Sequence, residues 1–157
     1  MAEVENGGLD AVIITASGCG TTIKDYGHML RLDPDYAEKA QRISKLAMDI
    51  TEYLTSIDLP EPSIKPNLAV AYHSACSMQH GQKITEAPKD LLTAAGFDVR
   101  SPAEGHLCCG SAGTYNIMQP EISAQLKARK VKNIEATNAD IISTGNIGCI
   151  TQISTGT

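Results

Sequence analysis

Apolar and polar positions along the chain fall into two alternating kinds of block. Residues 10–17, "DAVIITAS", are a short β-branched run ending at Gly18, which predicts a buried strand. Over 33–54, Tyr36, Ala40, Ile43, Ala47, Ile50 and Leu54 recur at helical spacing. Asp33 is placed to cap that helix, and Pro34 suits its first position. "LAVAYHS" (68–74) predicts a second strand that runs straight into Cys76. A helix around 89–95 ends at Gly96, a good residue just past a helix, and "FDVRS" (97–101) is the next strand. Pro120 and Glu121 open a strongly helical segment over 120–137, and "ADIIST" (139–144) predicts a last strand leading through "GNIG" to Cys149.

Strands alternating with helices of this length predict an α/β fold with a parallel sheet and right-handed crossovers. Three prolines in "DLPEPSIKPN" (58–67) mark an extended connector and the natural internal boundary. The cysteines then acquire a position. Cys19, Cys76 and Cys149 each follow a predicted strand, and Cys108 and Cys109 lie in a strand-to-helix loop. Ligands of open parallel sheets bind outside the C-terminal strand ends, so distant thiols are expected to meet at one rim. A gapless internal echo supports the idea: "DAVIITASGCGTTI" (10–23) aligns on "DIISTGNIGCITQI" (140–153), each with Gly-Cys after a strand. Cys19 would thus close an earlier unit of the same kind, in a duplicated protein.

Composition narrows the partners. At 157 residues the chain suffices for one domain with a sizeable core. A net charge of -5 argues against nucleic acid or an anionic membrane surface as partner. No apolar run approaches the ~20 residues of a membrane span. The opening "MAEVENGGLD" has neither a basic n-region nor an apolar h-region, so a secretory signal is not expected and the cytoplasm is. Thiols stay reduced there, so five cysteines at wide spacings call for a metal or redox role more than for stapling.

Three or four thiolates select iron–sulfur clusters, zinc or copper(I). Gly18, Gly110, Gly113, Gly145 and Gly148 crowd the same loops, letting backbone N–H groups approach sulfur. Plainer readings stand beside this. Cys19 or Cys76 alone reads equally as buried filler. The pair Cys108–Cys109 admits a strained vicinal disulfide or thiol–disulfide chemistry. His73, His80 and His106 lie near the thiols in sequence and would complete a Cys/His zinc site, hydrogen-bond sulfur or neighbouring backbone, or merely face solvent; His28 reads as structural. The basic run "KARKVKN" (127–133) reads as a solvated helix face or a dock for an acidic subunit. Neither a catalytic triad nor a phosphate-binding glycine pattern is evident.

At these residues the sequence resembles the CCG, or cysteine-rich, domain family. "ASGCGTTIKDYGHML", "AYHSACSMQHGQK", "LCCGSAGTYNIMQPEISAQL" and "ADIISTGNIGCITQI" carry the resemblance over nearly the whole chain. It is strongest to the C-terminal part of the glycolate oxidase (glycolate dehydrogenase) iron–sulfur subunits; lactate- and heterodisulfide-type CCG redox proteins are the alternative. The resemblance implies a Rossmann-like, three-layer, parallel-sheet domain with cysteines at the strand ends. It implies Cys76, Cys108, Cys109 and Cys149 as metal ligands of a four-iron cluster, with Cys19 as the closing cysteine of a preceding unit. It further implies an electron-transfer component of an oxidoreductase that lacks the substrate-oxidising site. Its partners would be a flavin-containing glycolate-oxidising subunit and the rest of the iron–sulfur subunit. Any membrane attachment, at the inner face, would come through that complex.

Residues 1–58 are accordingly expected to be the tail of a preceding CCG unit, 59–66 the connector, and 67–157 a CCG unit shortened at its C-terminus. Gln152 stands where the fuller pattern closes Cys-x-x-Cys, which favours a simple four-iron cluster, or none, over a heterodisulfide-type centre. The closely spaced ferredoxin-like cysteines of a full subunit are not in this chain, so a fragment is expected. A zinc-bound or metal-free docking module is the competing reading.

Overall fold

The computed structural model describes Glu3 and residues 6–156. The opening stretch read for a signal lies partly outside these residues, as does the last position of the expected 67–157 unit. The order is β1 (Val12–Ile14), α1 (Ser17–Met29), α2 (Ala37–Leu46), β2 (Ala47–Asp49) and α3 (Ile50–Thr55) in the first half. The second half runs β3 (Ala69–Tyr72), a π-helix (Ser77–Gln82), α4 (Ala87–Ala94), β4 (Asp98–Arg100), α5 (Tyr115–Met118), α6 (Pro120–Glu135), β5 (Ile141–Ser143) and α7 (Ile147–Ser154). Residues 59–68 carry neither helix nor strand.

All strand pairs are parallel. β1 pairs with β2, with Ile14 opposite Asp49, and a three-stranded sheet has the order β4-β3-β5. β3 is central and buried along its length, with Val70 opposite both Val99 and Ile141. The result is a Rossmann-like α/β fold of parallel open sheets, as the alternation of blocks predicts.

One expected element is corrected. The helix over 33–54 is three elements, because Ala47–Asp49 leave the helix to pair with β1. Ala47 and Asp49 face inward, so strand pairing satisfies their backbone while burying the same residues that helical spacing suggested. Asp49 then restarts the helix: its side chain accepts from the Thr51 N–H, and its own N–H donates to Glu52 Oε2 at 2.9 Å, a capping box. Asp33 does not cap a helix at Pro34. It accepts from the N–H groups of Asp35 and Tyr36 in a turn, and α2 begins at Ala37.

The two halves meet through the first turn of α1. Ser17, fully buried, donates its N–H to the Gly145 carbonyl at 3.0 Å and shares a 2.7 Å hydrogen bond with the Ser77 hydroxyl. Asn146 Nδ2 donates to Ser17 Oγ, and Gln82 Nε2 to its carbonyl. The main core of the second half is Ala71, Ala75, Met78, Ile84, Val131, Ile134 and Ile153, with Cys109 and Cys149 built into it. Burying Val131 and Ile134 contributes on the order of 1.5–3 kcal/mol each.

Candidate metal centre

Three segments bring four thiols together. The first leaves the end of β3 and passes His73 and Ser74 to Cys76, the residue before the π-helix. Buried Met78 anchors that helix, and Lys83, at φ 63°, ends it. Single-turn π segments such as this one recur at functional sites. The second segment is the β4–α5 loop, carrying Cys108 and Cys109. Gly110 follows at φ 95°, and a Cβ placed there would lie 2.6 Å from the Ser123 carbonyl oxygen. Only glycine fits that close approach. The Ser123 hydroxyl donates to the Gly110 carbonyl, and Gln152 Nε2 donates to Ser123 Oγ, both at 2.9 Å. The third segment is the start of α7. Asn146 caps it by accepting from the N–H groups of Gly148 and Cys149, which fixes Cys149 in the first turn.

The Cys109 thiol donates to Cys149 Sγ across 3.4 Å, and both residues are buried. Cys76 and Cys108 are half-buried beside them. The pKa shifts of the set alternate in direction. Hydrogen bonding from Cys109 and Cys76, with the Gly110 N–H 3.3 Å from sulfur, holds the Cys108 thiol far below its usual range. Cys109 again, with His73, lowers Cys149 to about 5 against the desolvation that opposes it. Cys76 is pushed up by its bond to Cys108 and by burial, and Cys109 by its bonds to Cys108 and Cys149.

His73 joins this group. Its ring nitrogen and the sulfurs of Cys109 and Cys149 all lie within 4.8 Å of one another, and all three residues are buried. His80 and His106 are exposed; His80 Nε2 bonds the His106 carbonyl oxygen at 3.3 Å. His28 is exposed beside Asp25. Cys19 sits in the first turn of α1, exposed, and among the described residues takes no part in the thiol contacts that join the other four. It mirrors Cys149 locally: both echo segments form a strand, an extended capping residue, then a helix with Gly-Cys at its second and third positions.

The basic run 127–133 is corrected. Its centre is not solvated: Lys130 is 1 % exposed and donates to the Glu104 carbonyl at 2.8 Å, while Val131 enters the core. Arg129 does face out, pairing with Glu104. Charge masked the period here, for Ser123, Lys130, Val131 and Ile134 mark one buried stripe of α6. The Ser123–Gln152 brace had no sequence signal. The Asn146 cap had one, a capping residue just ahead of an apolar helix.

The donor set fits a thiolate-bound metal group: four soft ligands, two of them with lowered pKa, in a pocket the fold has partly desolvated. A parallel α/β domain with converging thiols at its strand ends belongs to the cysteine-rich class. The chain is a member of the CCG cysteine-rich domain family, whose pattern matches residues 70–154.

Named relatives agree. The chain is 40 % identical over 147 residues to the glycolate oxidase iron-sulfur subunit of Escherichia coli (strain K12), covering 94 % of this chain and 36 % of that protein. It is 31 % identical over 151 residues to the probable glycolate oxidase iron-sulfur subunit of Bacillus subtilis (strain 168), at 94 % and 34 % coverage. Lactate utilization protein A of Bacillus licheniformis is 29 % identical over 144 residues, at 90 % and 60 %. The chain thus spans about a third of the two glycolate oxidase subunits. Among the described residues, no helix is long and apolar enough to cross a membrane.

Proposed function

We propose that this chain is the cysteine-rich domain of an iron–sulfur electron-transfer subunit in a glycolate-oxidising complex, with Cys76, Cys108, Cys109 and Cys149 holding a four-iron cluster. The observation that carries this is the joining of four thiols from three separate segments at one rim. Bound there, such a cluster supplies one-electron storage and transfer. The chain's own part is to desolvate the thiols, direct the Gly110 N–H at Cys108 sulfur, and set His73 against Cys149. Cys76 and Cys109 give up their protons on loading, so affinity rises with pH. Electrons would arrive from a flavin-bearing partner subunit in the cytoplasm or at the inner membrane face, and the substrate-oxidising site would lie on that partner. Residues 1–58 are read as the tail of a preceding unit, supported by the matching Gly-Cys helix starts.

The buried trio His73, Cys109 and Cys149 favours one competitor, a zinc site with Cys/His ligands. Anaerobic purification separates the two. The iron–sulfur reading expects a brown protein absorbing near about 400 nm with roughly four irons per chain. Colourless protein with stoichiometric zinc would overturn it.

A further inference from the structure

A cavity of about 220 Å³ opens beside the thiols, past the C-terminal ends of β3 and β4. Lys130, His73 and Ser74 line it. Lysine is almost never fully buried without a partner. Lys130 at 1 % exposure gives one ammonium proton to the Glu104 carbonyl and, among the described residues, pairs with no carboxylate. Two more donor-capable groups stand idle in the same wall: His73 Nε2 and Ser74 Oγ are buried with no hydrogen-bond partner among the described residues. Leaving such groups unmade costs about 1–3 kcal/mol each. By contrast, the neighbouring donor is spent, because Gln79 Nε2 bonds the carbonyls of Ser74 and Gly105.

Burial lowers the Lys130 pKa, and the nearby thiols offset this only in part. They leave the Ser74 hydroxyl and the second wall group unexplained. Glu86, the carboxylate in the wall, is paired with Lys89, so a cation would meet Lys130 without it, and an apolar occupant would strand three polar groups. An acceptor-rich anion satisfies them together: the Lys130 amino group, the Ser74 hydroxyl and the unpartnered ring nitrogen of His73.

We propose that this cavity binds a small oxyanion, of carboxylate or phosphate type, held by Lys130, Ser74 and His73. The site borders the thiol group through His73, but Lys130 and Ser74 are not thiol ligands and the test needs no metal, so it does not depend on the redox reading. The full 157-residue chain, reduced and metal-free, is titrated with sodium acetate and, separately, inorganic phosphate at constant ionic strength balanced by chloride, following backbone amide NMR shifts. Saturable shifts at Ser74, Gly105 and Lys130 are expected, and the probe that saturates at lower concentration identifies the group. Ser74→Ala weakens binding by about tenfold, and Lys130→Met removes saturation in the same range. Ser74 Oγ has no hydrogen-bond partner among the described residues, so Ser74→Ala keeps the fold and the test stands even where Lys130→Met unfolds. Absence of saturable shifts with both probes, or undiminished binding in Ser74→Ala, overturns the proposal.

Discussion

The sulfurs of Cys109 and Cys149 stand 3.4 Å apart although the residues are forty apart in the chain. The Gly110 turn carries one and the Asn146-capped start of α7 carries the other, so the contact depends on two independent local structures meeting at the end of a parallel sheet. It marks the buried end of the thiol set.

Replacement of that buried thiol should abolish metal retention. In Cys149→Ser, retained metal per chain falls at least the ~10-fold that loss of a supporting contact alone brings. Cys19→Ser, with its exposed thiol outside the set, retains the parent's content. Metal analysis of both proteins after anaerobic purification checks this, and an equal loss in Cys19→Ser would count against the four-cysteine assignment.

Thiol reactivity in the metal-free, reduced chain should follow the alternating pKa shifts. Cys108 has its pKa lowered, so its thiolate persists as pH falls below the ordinary thiol value of about 9. Cys76 has its pKa raised and stays protonated through the same range. Alkylation at pH 6–7, read by peptide mass mapping, should therefore modify Cys108 well ahead of Cys76. Equal rates that rise together toward pH 9 would refute it.

Gly110→Ala should destabilise the domain by about 1–3 kcal/mol from backbone strain alone. The added Cβ also meets the Ser123 carbonyl, at 2.6 Å. Gly113→Ala is the comparison: it too has positive φ, 65°, but nothing lies within 4 Å of its Cβ. Urea denaturation midpoints should fall further for Gly110→Ala than for Gly113→Ala.

Glu104 lends acid sensitivity to the loop over Lys130. Hydrogen bonds from Arg129 and Asn133 hold its carboxyl down at about 2, below the usual 4.5. A depressed carboxylate contributes stability that is present above the unfolded value and is lost as pH falls through the folded one. Thermal midpoints should thus drop between pH 4.5 and about 2. Glu104→Gln should flatten that part of the profile, and an unchanged slope would remove Glu104 as its source.

The block pattern carried β1, β3, β4 and β5 and the placing of Cys76, Cys108, Cys109 and Cys149, because short apolar runs bounded by turn residues read as strands; it overstated burial, since β3 is buried throughout but β1, β4 and β5 only in part. It failed over 33–54. Ala47, Ile50 and Leu54 keep helical spacing, yet whether Ala47–Asp49 stay helical depends on β1 being alongside to pair with them. Local spacing carries no information about that neighbour.

For the site, residue type was enough to mark the cysteines and the glycine between them and α5, since soft ligands and a positive φ are properties of single residues. Tertiary structure alone decided which thiols meet. It left Cys19 outside on α1, drew His73 in beside Cys149, and buried the ammonium of Lys130 under the loop. Those outcomes rest on burial and on distances between segments far apart in sequence, and the energy of a buried charge or thiol is fixed only by what the fold places around it.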